Sequence, residues 1–265
     1  MAKKKNKAKS GLVLKAPTTA SSNSKPKQEA PAAKKQKVSS GKSVEKKTDG
    51  TPEVPFGPLA NNGVDVKALE WLLYPITVKE FLEEYWEKKP LHIKSNNADY
   101  YDGLFSKQEN DNLLLEGKAR VNLAKVNKQG RKDIANLDNE IGPDSNTYDH
   151  VQKKWNEGYS VQVLHPQQES VPVAQLLSAL ESDCQDLWGS NAYITPRGAR
   201  GFAPHYDDVE VFMLQVEGAK KWQLFKPPPS DQNDQCELPK THSIDFLQSE
   251  LEEKDKLFDG LLEQG

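Results

Sequence analysis

Residues 201–222 read Gly201-Phe-Ala-Pro-His205-Tyr-Asp207-Asp-Val209-Glu-Val-Phe-Met-Leu-Gln-Val216-Glu-Gly218-Ala-Lys220-Lys-Trp222. Val209–Val216 is strand-like, and on a β-strand residues i and i+2 point to the same face. If the strand extends back over the motif, the His205 imidazole and the Asp207 carboxylate project side by side. They are two-thirds of a 2-His-1-carboxylate facial triad, the ligand set of non-haem Fe(II) oxygenases. Glu217-Gly218 turns the chain into a second strand, on which Lys220, Trp222 and Leu224 share one face. With Trp222 and Leu224 turned inward, Lys220 is inside as well. A buried ammonium requires an anionic partner, and a dicarboxylic cosubstrate lying over the metal supplies one. Asn191 and Tyr193 share a face of the preceding strand and can donate hydrogen bonds to the same anion.

Working outward from this stretch, Asn191–Thr195 and Ser160–Leu164 read as strands, the latter cut off by Pro166. Val173–Leu187 has helical periodicity through Leu176, Leu177, Leu180 and Leu187. Val121–Val126 reads as a further strand, and Asn127–Asp149 as charged, irregular surface. Ala68–Leu73 and Thr77–Trp86 read as helices. In the second, Thr77 caps the N-terminus with Glu80 at the third helical position, and Phe81, Leu82 and Tyr85 form the apolar stripe. Leu91-His92-Ile93 looks like an entering strand with a packed histidine, and the acidic stretch Ile244–Leu262 reads as a helix. Tyr206 and Asp208 read as structural, and Glu210 as half of a cross-strand ion pair. Many short strands preceded by helices predict a mainly β fold with α, a cupin-like double-stranded β-helix with a helical N-terminal part.

Composition divides the 265 residues in two. Residues 1–50 hold 14 Lys, no Arg and 3 acids, a net of +11, and the remaining 215 hold 22 basic and 36 acidic residues, a net of −14. The first part is rich in Lys, Ser, Ala and Pro, so residues 1–62 are expected to be a disordered basic tail. Lys3–Lys7 and Lys34–Lys37 fit short nuclear-import or nucleic-acid-binding patches. Order is expected over 63–265, with the helical part at 63–150 and the barrel strands at 151–265. Cys184 and Cys236 form no Cys-x-x-Cys, which argues against a thiolate zinc site and for a reducing compartment. No run is apolar and long enough to span a membrane.

The stretch 201–222, together with Glu84-Tyr-Trp-Glu-Lys-Lys-Pro-Leu-His-Ile93 and Gly189-Ser-Asn-Ala-Tyr-Ile-Thr-Pro196, resembles the JmjC-domain ribosomal oxygenases, a family of histidyl hydroxylases and histone lysine demethylases. The similarity runs from about residue 68 to 226. It implies a JmjC fold, with Fe(II) held by His205 and Asp207 and 2-oxoglutarate held by Lys220, Asn191 and Tyr193. It also implies hydroxylation of a histidyl residue in a ribosomal protein or demethylation of a methyl-lysine on the histone H3 tail. Further implications are a role in chromatin and transcription regulation or ribosome biogenesis, a nuclear and nucleolar location, and a dimer in the full-length member.

The family carries its second histidine ligand roughly sixty to seventy residues past the first, whereas this sequence ends at Gly265. The reading therefore expects a C-terminally truncated JmjC domain lacking its final strands. His242, the one histidine downstream of Asp207, lies in a segment without strand character. The alternative reading is a non-catalytic chromatin or ribosome-assembly factor, or an inactive fragment, because the third iron ligand is absent from this chain.

Overall fold

The computed structural model describes residues 9–17, 67–137, 146–207, 209–226 and 245–265. In chain order the elements are β1 (Lys9–Pro17), α1 (Ala68–Leu73), α2 (Val78–Glu84), α3 (Lys107–Leu115), β2 (Arg120–Val126), β3 (Lys132–Ile134), α4 (Tyr148–Asn156), β4 (Ser160–Leu164), α5 (Val171–Cys184), β5 (Gly189–Thr195), β6 (Val209–Glu217), β7 (Ala219–Phe225) and β8 (Lys256–Glu263), with short 3₁₀ turns between some of them. Six strands form an antiparallel sheet in the order β3-β2-β4-β5-β1-β6, and β7 and β8 form a separate antiparallel pair. Helices and antiparallel strands are thus combined in one chain, as the sequence reading expects. The strands among the described residues do not close a barrel.

Strand alternation sorts the large sheet into two faces. Val121 and Leu123 on β2, Val161 and Val163 on β4, Ala192 and Ile194 on β5, and Leu214 and Val216 on β6 are buried. They join one core with Trp71 and Leu72 of α1, Leu114 of α3, Val151 and Trp155 of α4, and Leu176, Leu177 and Leu180 of α5. The helices thus cover one face. Replacing a fully buried member such as Ile194 by Ala is worth about 2–5 kcal/mol. The intervening residues Asn122, Gln162, Asn191 and Tyr193 are half-buried on the opposite face. That face carries the site.

Local chemistry accounts for the helix starts. Thr77 Oγ1 accepts from the Glu80 amide at 3.1 Å, and Ser106 Oγ accepts from the Glu109 amide at 3.0 Å, each satisfying one of the amides that an α-helix leaves unpaired at its N-terminus. At the β6–β7 connection Gly218 has φ +68°, a conformation that glycine adopts without strain. The chain leaves the large sheet there and enters the β7–β8 pair.

Several expectations are corrected. The disorder expected over residues 1–62 does not extend to Lys9–Pro17, which is β1. Its backbone pairs with β5 on one side and β6 on the other, so both hydrogen-bonding edges are satisfied, and Leu12-Val-Leu14 has strand-compatible composition. The rest of that tail, with the basic patches at Lys3–Lys7 and Lys34–Lys37, lies outside the described residues, as do Cys236 and His242. The division at residue 150 is not structural, because β2 and β3 fall before it and still pair into the sheet that contains β4.

Leu91–Ile93 is not a strand, and His92 is exposed with its ring edge-on to Phe258 at 5.1 Å. Leu82 is 50% exposed and Leu187 is 79% exposed, so neither belongs to an apolar stripe. The expected acidic helix contains β8 instead. Its exposure alternates residue by residue, its register pairs Lys220 with Leu262 and Trp222 with Gly260, and Asp259 accepts from Gln223 and pairs with Lys221. Pairing with β7 overrides helix propensity here.

Candidate active site

The connection from β5 to β6 lies over the polar face of the sheet, and three contacts hold it there. The Val126 amide donates to the Arg200 carbonyl at 3.0 Å, and the Phe246 amide donates to the Pro204 carbonyl at 2.7 Å. Between them Gly201 packs against Ser160, whose Oγ shares a 3.0 Å hydrogen bond with Thr195 Oγ1. The described part of this connection has no strand before Val209. The strand expected to carry His205 and Asp207 therefore begins after them. They nevertheless line one cleft of about 310 Å³, together with Lys132, Gln162, Tyr193, Phe202 and Asp245. That volume is at the small end of ligand sites.

His205 is oriented from behind. Its Nδ1 lies 2.9 Å from the Ala203 carbonyl oxygen. A carbonyl only accepts, so Nδ1 carries the hydrogen and Nε2 holds the lone pair in the neutral ring. A backbone partner on one ring nitrogen is how metal-binding imidazoles are set for ligation through the other. Phe202 stands between the rings of Tyr193 and His205, with centroids 5.3 and 6.1 Å away. On the outer side Tyr206 lies 6.1 Å from Phe246, a packing role. Asp208 is outside the described residues.

The other expected site residues fall at different depths. Tyr193 lines the cleft, and its hydroxyl accepts from Gln162 Nε2 at 3.0 Å. Lys220 does not line the cleft, but its Nζ donates to the Tyr193 carbonyl at 3.3 Å. Lys220, Trp222 and Leu224 are half-buried while Lys221 and Gln223 are exposed, which is the face assignment the alternation predicts. Asn191 shares the Tyr193 face but stays outside the cleft, where its Oδ1 accepts from the His165 amide at 3.5 Å. The structure thus brings Tyr193, His205 and Asp207 together, places Lys220 against the Tyr193 backbone, and leaves Asn191 apart.

Four cleft residues were not singled out from the sequence. Phe202 adjoins the motif and Gln162 sits opposite Tyr193 in register. Lys132 and Asp245 form an ion pair at 3.3 Å. No local signal marks Lys132 or Asp245, since each reaches the cleft through tertiary pairing.

The donor set fits iron in part. His205 with an available Nε2 and the Asp207 carboxylate are suitable for Fe(II), but among the described residues no three His, Cys, Asp or Glu side chains form a metal-holding group. Donors that suit an anionic cosubstrate are the Tyr193 hydroxyl in the cleft and, behind it, the Lys220 ammonium against the Tyr193 backbone; Trp222 Nε1, outside the cleft lining, is a buried donor with no hydrogen-bond partner among the described residues. Near the motif, burial pushes the Glu210 carboxyl above the ordinary carboxylate range and the charge of Glu87 adds to the shift. The ion pair expected for Glu210 is not found among the described residues.

The chain is similar to known proteins over most of its length. The JmjC domain model matches residues 162–265. The chain is 36% identical over 202 residues to ribosomal oxygenase 1 of Danio rerio, covering 75% of this chain and 35% of that protein. It is 34% identical over 203 residues to the bifunctional lysine-specific demethylase and histidyl-hydroxylase NO66 of Drosophila mojavensis, covering 75% of this chain and 22% of the relative. Against the Dictyostelium discoideum protein of the same name it is 34% identical over 236 residues, covering 84% and 44%. The chain therefore spans less than half the length of these curated relatives.

Proposed function

Because the chain belongs to the JmjC-domain ribosomal oxygenase family, a family of 2-oxoglutarate-dependent oxygenases, we propose that its cleft is the Fe(II)- and 2-oxoglutarate-binding site of a protein oxygenase. The observation that carries this reading is the cleft that contains His205, Asp207 and Tyr193 together. His205 and Asp207 would hold the metal. Lys220 and the Tyr193 hydroxyl would hold the cosubstrate carboxylate, with Asn191 assisting from further along β5. When bound, iron with 2-oxoglutarate supplies the oxygen activation that a protein side chain cannot.

The chain's own residues do the positioning. The Ala203 carbonyl fixes the His205 tautomer, and Phe202 fixes the ring against Tyr193. The paired Lys132 and Asp245 form part of the cleft wall.

The substrate is a protein side chain, either a histidyl residue of a ribosomal protein or a methyl-lysine of the histone H3 tail, as the names of the relatives suggest for those proteins. The acidic balance outside the N-terminal tail would attract such basic substrates. A nuclear and nucleolar location, with nucleic-acid contact through the basic tail, belongs to the same proposal. Among the described residues no helix is long and apolar enough to cross a membrane. A second reading, a non-catalytic chromatin or ribosome-assembly factor, rests on one observation: no third metal-ligating side chain joins His205 and Asp207 among the described residues.

The test is anaerobic calorimetric titration of 2-oxoglutarate in the presence of Mn(II). Metal-dependent binding that disappears in Asp207→Ala is expected. Metal-independent binding, or binding unchanged in the variant, contradicts the reading.

A further inference from the structure

Among the described strands, β6 joins the large sheet only through β1. β5 and β6 follow one another in the chain, yet they share no ladder. Lys9–Pro17 lies between them and runs antiparallel to both, with Val13 opposite Asn191 on β5 and opposite Met213 on β6. β5 and β6 are therefore parallel and two strand spacings apart, about 9–10 Å. The connection between them returns from the Lys9 end of β1 to its Pro17 end.

Both walls of this gap are held without β1. β5 pairs with β4 from Val161 opposite Ile194 to Leu164 opposite Asn191. β6 docks through side chains on the helical face. Its Leu214 and Val216 are in the core, and Phe212 meets Phe81 and Trp188 with ring centroids 5.8 and 5.2 Å apart. Withdrawal of β1 therefore leaves two unpaired strand edges facing each other, and each is a template for an extended segment.

β1 is suited to leave. It is the first element in chain order, so its release displaces no other strand. Its pairing is also imperfect. Ser10 lies opposite Glu217 and Leu12 opposite Leu214, so the register with β6 shifts around Gly11, and a glycine inside a strand weakens it. Pro17, opposite Val209, has no N–H to donate. The β2–β4 and β4–β5 registers have no such shift.

We propose that the gap between β5 and β6 is a peptide-binding slot for an extended segment antiparallel to both walls, and that Lys9–Pro17 is its tethered, exchangeable occupant. Recognition is strand addition on two edges at once, with main-chain hydrogen bonds supplying the affinity. The tether makes binding of the resident strand intramolecular, so it outcompetes the same sequence supplied in solution.

The test uses the full chain and a fluorescent peptide of residues 8–18. Consecutive amides of a central strand point to opposite neighbours, so Val13→Pro with Leu14→Pro removes one hydrogen bond to each wall. The double variant is expected to bind the peptide saturably, about tenfold or more tightly than wild type, as read by fluorescence anisotropy. A peptide carrying the same two prolines should bind neither protein. A double variant that melts like wild type and binds no peptide, or equal binding by the two proteins, overturns the slot.

Hydrogen exchange of the wild-type chain decides the matter without relying on the variant's folding. The amides of residues 10–16 are expected to be protected, yet to exchange about tenfold or more faster than those of β2 and β4, as local release requires. Unprotected amides would show that this segment does not fill the slot. Amides as slow as those of β2 and β4 would show that it does not leave. Either result overturns the proposal.

Discussion

Gly201 lies against Ser160 so closely that a Cβ at position 201 would stand 2.5 Å from Ser160 Oγ and 2.8 Å from its Cβ. Neither atom can yield easily, because the Oγ is held to Thr195 and the Cβ is fixed to strand β4. The contact sets the height of the 201–207 segment above the sheet, and with it the position of His205 and Asp207.

Gly201→Ala is therefore expected to lift that segment and cost about 1–3 kcal/mol, the range for overpacking, with Mn(II) affinity reduced about tenfold. Ser160→Gly in the same chain removes the clash and is expected to restore much of the metal affinity. Calorimetric Mn(II) titration and thermal melting of the single and double variants check this. A Gly201→Ala protein with wild-type stability and metal affinity would show that the contact does not position the motif.

Lys220 and the proposed metal ligands, His205 and Asp207, are predicted to separate experimentally. Lys220→Ala removes a charged donor and is expected to weaken 2-oxoglutarate by about ten- to a hundredfold, the range for hydrogen bonds to charged groups. Mn(II) binding should change little, since His205 and Asp207 remain. Parallel titrations of metal and cosubstrate decide it, and an equal loss of both would place Lys220 in a general structural role.

Glu210 gives a pH prediction. Burial, then the charge of Glu87, raises its folded-state pKa above the unfolded value. Its favourable contribution is thus fully present below the ordinary carboxylate range and is lost as pH rises through the raised value. Glu210→Gln is expected to raise the melting temperature relative to wild type at pH 7, with little difference near pH 4. A difference that is larger at pH 4 would reverse the assigned sign.

Much of this architecture is legible in the sequence where one strong local rule acts. Ser160–Leu164 is β4 residue for residue, because its alternation is uninterrupted and Pro166 follows closely. The Thr77 cap is visible because a threonine three residues before a glutamate has few other local uses. Period-two alternation puts Lys220 and Trp222 on one face, and both are half-buried there.

The illegible parts depend on distant pairing. Lys256–Glu263 contains good helix formers and becomes β8 through β7. Lys9–Pro17 sits in a lysine-rich, low-hydrophobicity context, and its strand follows from the two edges it bridges. Within the cleft, His205, Asp207 and Tyr193 carry a spacing that can be recognised, whereas Lys132, Gln162 and Asp245 arrive from β3, β4 and the segment before β8. No window of sequence contains those three together.

The most direct test of the central claim is succinate release from 2-oxoglutarate, measured with and without Fe(II), for the wild-type chain and for His205→Ala. The account predicts release that requires iron in the wild type and vanishes in the variant, because His205, with Nδ1 turned to the Ala203 carbonyl, would hold iron through Nε2. Equal release by the two proteins, or release indifferent to iron, would contradict it.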